Sequence, residues 1–309
     1  MEKYVILPDV TCDLSPEIQK LFGIEDYIRG HVSVSDGRDF LSELNWDTIS
    51  QREFYDILND KRLKVSTAPS NTDECYKKYE EYIKQGFAVL SIHLSSTISA
   101  GYNFANLAAE RIRENYKDAK IYCVDSFRMS GAYGLLVMYA FEMQKQGRSF
   151  DEVKDWLENN KRRVHQMGPI DDLMVVARRG RISMGKAIMG SFAGVKPMGD
   201  CNAEGYTTAL GKAKGIKKAL AATAAYVKAT IVKPEEQYIL ISHTDRLEHA
   251  MTLKGHLESV VPVKKVFVSD VYSGCGPNIG PGMVGCYFLG NEITDLAAEK
   301  ETLTKILGK

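Results

Sequence analysis

Short apolar runs and longer amphipathic stretches alternate along the first half of this chain. YVIL at 4–7, VLSIHL at 89–94 and IYCV at 121–124 have strand length and strand-like composition. Each is followed by small polar residues and then a helical pattern, which is the sequence sign of βαβ units and a parallel sheet. Ser15-Pro16 predicts a helix start, because proline's fixed φ suits the first turn. Residues 70–73 predict another start. Ser149 with Glu152 makes a capping-box pattern ahead of a helix to about His165, leading into a second lobe.

The second half mixes its elements differently. Residues 181–194 read as helix, VKPM at 195–198 as a short strand, and NAEG at 202–205 as the turn of a hairpin continuing into YTTALG. A long helix is expected over 215–230, strands at 238–243, 264–271 and 283–290, and a helix at 245–259. The expected fold is therefore α/β, with an N-terminal parallel-sheet domain over 1–165 and a second, α+β domain over 166–309. The final strand is free to return toward the first domain.

Composition narrows the function classes. At 309 residues, 44% apolar and 26% charged, the chain matches ordinary globular proteins. Lys plus Arg equals Asp plus Glu at 40 each, so the basic excess expected of a nucleic-acid binder is missing. Basic runs at 61–64, 162–163, 178–181 and 212–218 read as solvated faces. The six cysteines show no metal-ligand or C-x-x-C spacing and read as reduced thiols of a cytoplasmic protein. No signal peptide is apparent, and no apolar run approaches the roughly 18 residues of a membrane span.

Ligands of open parallel sheets bind beyond the carboxyl ends of the strands. That rule points to residues 9–13, 66–70, 95–102 and 125–126. In the third segment Ser95, Ser96, Thr97 and Ser99 run into an amphipathic helix, where hydroxyls and free N–H groups favour an anion. Ser66 and Thr67 add hydroxyls from a neighbouring strand. Serine and threonine are equally ordinary helix caps. The glycine-rich GCGPNIGPGMVG at 274–285 lacks nucleotide-binding spacing; it reads as rigid turning chain or as a close backbone approach to a ligand. Asp9 and Asp125 end separate strands, as a carboxylate pair or, more simply, as turn-stabilising residues. The histidines share no metal spacing, although His93 stands two residues before Ser95.

The order of these motifs closely resembles the DegV family of bacterial fatty-acid-binding proteins. ILPDVTCDLSPE, VSTAPS, LSSTISAGYNFA, VDSFRMSGAYG, RRGRIS, VKPM and IGPG follow the family's blocks in sequence over nearly the whole chain. The resemblance implies a two-domain α/β fold holding one long-chain fatty acid in an apolar tunnel. It assigns the carboxylate contacts to Ser66 or Thr67, Ser95 or Ser96, and Asn278. It also implies that Arg181 and Gly280 touch ligand or partner, and that a separate ATP-dependent acyl kinase receives the lipid. No catalytic residue, cofactor or metal is implied. The family's histidine before Gly-Pro-Gly is Asn278 here, which donates hydrogen bonds but does not titrate near neutral pH. Two other readings remain: an acyl hydrolase with Ser95 or Ser96 as nucleophile and His93 or His243 as base, although no G-x-S-x-G elbow is present, and a binder of another small anionic metabolite.

Overall fold

The structure is a computed structural model and describes residues 3–182 and 194–308. Strands β1 (Tyr4–Pro8), β5 (Ala88–His93) and β6 (Ile121–Asp125) form a parallel sheet in the order β1-β5-β6. All six residues of the central strand β5 are buried, as a parallel strand covered on both faces must be. A second sheet has the order β11-β10-β12-β7, from β7 (Val164–Met167), β10 (Tyr238–His243), β11 (Lys265–Asp270) and β12 (Val284–Leu289). In it β12 runs antiparallel to both β10 and β7.

Between the two sheets lies α5 (Ser130–Lys145), whose residues from Ser130 to Phe141 are all buried. A helix that is apolar all round has no face to give to water. One core accordingly joins Ile6 and Leu90 of the first sheet, Leu135 and Val137 of α5, and Leu240 and Tyr287 of the second. Alternate residues along each strand face the outer layers. Leu7 and Val89 meet α3 (Thr72–Lys84) and α4 (Gly101–Asn115). Ile239, Ile241 and Phe288 meet α8 (Ile216–Thr230), α9 (Leu247–Val260) and α11 (Ala297–Leu307).

The buried carboxylate of Asp13 joins these layers. It accepts hydrogen bonds from Ser130 Oγ at 2.6 Å and from the Tyr272 backbone N–H at 2.9 Å. Burial outweighs those hydrogen bonds and raises its pKa to about 7.

Several expectations need correction. The helix predicted to reach His165 is α6 (Phe150–Asn160); a 3-10 turn at Lys161–Arg163 follows, and His165 lies on β7. Its capping box fixed the start, whereas pairing of β7 with β12 decides the end. Strand β7 also lies across the expected domain boundary at 165. Residues 30–42 form an unanticipated hairpin: β2 (Gly30–Val34) pairs antiparallel with β3 (Asp39–Ser42) and with β4 (Val65–Pro69), covered by α2 (Gln51–Asn59). Its signal was present, as alternating residues flank the turn pair Asp36-Gly37. The helix read over 181–194 lies outside the described residues, apart from Arg181, Ile182 and Gly194.

The hairpin of β8 (Val195–Cys201) and β9 (Thr207–Lys214) agrees with expectation. Its tip is tied to the first half of the chain. Thr97 Oγ1 donates to the Glu204 carbonyl at 2.5 Å, and Arg162 Nε donates to that of Ala203 at 3.1 Å.

Gly134 of α5 sets how closely the helix meets the loop after β1, because a Cβ there would lie 2.2 Å from the Cys12 carbonyl oxygen. On an exposed helix Gly→Ala stabilises by about 1 kcal/mol. Here overpacking reverses the sign, and Gly134→Ala is expected to lose about 1–3 kcal/mol in urea unfolding. An unchanged or raised midpoint would contradict the close approach.

Candidate functional site

The loops beyond β1 and β5, strand β4, the start of α5, the β8–β9 hairpin and the segment after β11 enclose a cavity of about 510 Å³. Its border is mostly apolar, and the polar groups are few and placed by specific elements. That is the usual composition of a small-molecule site.

The serine-rich loop between β5 and α4 has most of its polar groups already engaged, within itself and by neighbouring segments. Its backbone N–H groups at Leu94 and Ser96 donate to Asp9 Oδ2 at 2.9 Å and to Asp125 Oδ1 at 3.1 Å. Asp9 and Asp125 are therefore turn-stabilising residues. Ser95 is fully buried, and its Oγ accepts from Thr97 N at 3.4 Å. Thr97 Oγ1 holds the hairpin, and Ser99 Oγ accepts from Gly101 N at 3.2 Å. Ser96 alone of the four hydroxyls borders the cavity without a hydrogen-bond partner among the described residues.

Across the cavity border, Asn278 Nδ2 donates to Thr67 Oγ1 at 2.9 Å. This leaves the Thr67 proton, the second amide proton and the Asn278 carbonyl oxygen to meet a ligand. Asn278 is carried on a single helical turn, α10 (Gly276–Ile279), with Pro277 in its first turn. The glycine-rich segment is thus a helical turn closing on β4, rather than only extended turning chain. Arg181 also borders the cavity, and its guanidinium donates to the Arg179 carbonyl.

Three of the expected residues are not brought to this cavity. Ser66 adjoins Thr67 on a strand, where neighbours face opposite sides, and its exposed Oγ donates to the Ser33 carbonyl at 3.5 Å. Ser95 is turned into the protein. Gly280 is buried against α7 (Leu173–Arg178), where a Cβ would lie 2.9 Å from Val175. Sequence reasoning also missed Met129, Met167, Met198 and Met283 on the cavity border. They come from separate elements, so no spacing could have joined them.

His93 borders the cavity from below the loop. Its Nε2 meets Ser91 Oγ at 2.7 Å and Tyr79 Oη at 3.2 Å, while Nδ1 faces Asp9 Oδ2 at 3.4 Å. His243 faces Asp270 at 3.4 Å. Neither histidine hydrogen-bonds Ser95 or Ser96 among the described residues, so the nucleophile–base pair that a serine hydrolase needs is not assembled. No cluster of three or more His, Cys, Asp or Glu suited to a metal occurs among the described residues. No described helix is long and apolar enough to cross a membrane.

Two sheets flanking a buried helix, with a mostly apolar cavity carrying one small polar cluster, define a protein built to hold a small amphiphilic molecule. The profile described as "Uncharacterised protein, DegV family" matches residues 3–291, and the chain belongs to the DegV family. A DegV domain-containing protein of Clostridium perfringens is 34% identical over 291 residues, which cover 94% of this chain and 99% of that one. Solved structures share the fold at lower identity. A DegV family protein from Thermus thermophilus, described by its fatty acid binding, has a TM-score of 0.82 at 23% identity, covering 93% of this chain and 99% of that one. The Streptococcus pneumoniae Fatty Acid Kinase (Fak) B3 protein, loaded with linoleic acid, has a TM-score of 0.80 at 17% identity, covering 94% and 100%.

The His93–Asp9 contact carries a pH signature. Burial works to lower the imidazole pKa, but hydrogen bonding to Asp9 and Cys123 and the charge of Asp9 outweigh it and hold the value at about 9, above the ordinary 6.5. A raised folded-state pKa gives stability that is complete below about 6.5 and lost as pH rises through about 9. His93→Gln should flatten the fall in urea midpoint across that window. An identical pH profile in variant and wild type would exclude a charged His93.

Proposed function

We propose that this protein binds one long-chain fatty acid, with the carboxylate at Thr67, Ser96 and Asn278 and the tail in the 510 Å³ cavity. The observation that carries this reading is the pairing of one small polar cluster with a mostly apolar cavity. A fatty acid has the same division. Each buried methylene contributes about 0.8 kcal/mol, so the tail supplies most of the affinity and the polar cluster fixes orientation. Solved DegV relatives described as fatty-acid-binding support the assignment.

In this reading the head group is met by side chains together with the uncapped start of α4, because the N–H groups from Leu94 to Ser99 are already engaged whereas α4 has no side-chain cap. Arg181 adds positive charge for the carboxylate, an acyl phosphate or a partner surface. The protein acts as a carrier without chemistry of its own and presents its lipid to a separate ATP-dependent acyl kinase in the cytoplasm. The Fak B3 neighbour supports that partner class. Presentation does not require the family's histidine if Asn278 holds the carboxylate through its amide.

Native mass spectrometry of protein purified from bacteria should show one bound species that releases a fatty acid on denaturation. Protein that is free of lipid and takes up neither palmitate nor oleate would overturn the proposal. Ser96→Ala and Thr67→Ala should each weaken binding about tenfold or more, the usual effect of losing a hydrogen bond to a charged group. Unchanged affinity in both would remove these hydroxyls from the head site.

A further inference from the structure

Asp13 is fully buried, yet its carboxyl group stands one hydrogen bond from the cavity. Ser130, whose Oγ donates to Asp13 Oδ2 at 2.6 Å, borders the cavity at the start of α5. Cys275 borders it too; its thiol donates to the Thr11 carbonyl at 3.5 Å and faces the same carboxylate. The Tyr272 N–H, 2.9 Å from Oδ1, completes the shell.

These partners offer hydrogen bonds and no positive charge. Among the described residues, the titratable groups facing Asp13 are Asp9 and Cys12 on the loop after β1, Tyr55 on α2, Tyr272 and Cys275 after β11, and Tyr287 on β12. From α5 comes the Ser130 hydroxyl. Burial raises the thiols and phenols and keeps them neutral, while Asp9 adds a second negative charge. A buried carboxylate without a counter-ion is costly, so Asp13 changes charge at about pH 7 rather than at 3.8. Both forms fit the same frame. Ionised, Asp13 accepts the Ser130 proton; protonated, it donates to Ser130 Oγ, whose own proton turns elsewhere.

We infer that this protein takes up a proton at Asp13 when it binds its fatty acid, so that affinity falls as pH rises through neutrality. The inference rests on the fatty-acid reading above and adds a regulation of that site. Filling the cavity with an acyl chain replaces water beside Ser130 and Cys275 with hydrocarbon, and it brings a further carboxylate into the same enclosure. Desolvation and repulsion both penalise the charged form of Asp13. The bound state therefore holds the proton more tightly than the empty one, and by linkage the protonated protein holds the ligand more tightly. At pH low enough to protonate Asp13 in both states, or high enough to ionise it in both, the dependence vanishes.

Calorimetric titration of myristate, kept below its aggregation concentration, in two buffers of different ionisation enthalpy counts the protons taken up. If the bound state holds the proton about tenfold more tightly, wild type takes up about half a proton per ligand at about pH 7.5, and its affinity falls about fivefold between about pH 6 and about pH 8. Asp13→Asn keeps the uncharged form permanently. Its amide can accept from the Tyr272 N–H and donate to Ser130 Oγ, and asparagine tolerates the left-handed backbone here, where φ is 49°. The variant should bind myristate without proton uptake and with an affinity constant to within about twofold over the same range. If it shows no cooperative melt, infrared difference spectra of wild type with carboxyl-labelled myristate replace it: a protonated carboxyl band at the unlabelled frequency should grow on binding, and no growth overturns the inference. Zero uptake or proton release by wild type, or equal uptake in wild type and variant, overturns the inference and leaves the fatty-acid reading standing. Failure of wild type to bind myristate overturns both.

Discussion

The architecture depends on the need to bury α5 on every side. A single sheet covers only one face of a helix, so a helix apolar all round requires a second layer, and the two sheets supply it. The cavity follows from this arrangement. At the entry to α5, Met129 and Ser130 reach its border, and the loops beyond β1 and β5 meet the segment after β11. Asp13 holds that junction through Ser130 and Tyr272, so the polar link lies next to the space it helps to shape.

The same economy governs the polar groups. A strand-to-helix loop rich in hydroxyls and N–H groups looks like a ready anion cradle. Most of those groups are consumed by Asp9, Asp125 and the loop itself, leaving the Ser96 hydroxyl facing the cavity. On the proposed fatty-acid reading, recognition draws on a few side chains from distant segments and on the uncapped start of α4. Such a cluster is geometrically demanding and weak in net charge, which suits a ligand that derives most of its affinity from an apolar tail.

Local signals in the sequence exposed the parts of this design that depend on neighbours. The strand-like composition of β5, the helix start at 70–73 and the capping box at Glu152 report local periodicity and hydrogen bonding. The end of α6 was not legible because a long-range sheet pairing decides it. The choice between Ser66 and Thr67 turned on which face of β4 meets the cavity, and β4 has no clean alternation to show it. Thr67 and Asn278 are 211 residues apart, and their likeness to family motifs, rather than any spacing, placed them in one site. Met129, Met167, Met198 and Met283 carried no signal of a shared cavity border, since each looks like ordinary core in its own segment.

The tie between the β8–β9 tip and the first half of the chain bears on time rather than on equilibrium. Bonds from Thr97 and Arg162 to the tip carbonyls are made within the protein. If they are equally intact in the empty and the filled state, they cancel from the dissociation constant. They still have to break in any exchange that swings this hairpin aside, so entry and exit slow by the same factor. A binding site built this way can have a long residence time without exceptional affinity, and a change at the hairpin tip would alter how quickly a ligand enters and leaves while leaving how tightly it is held untouched.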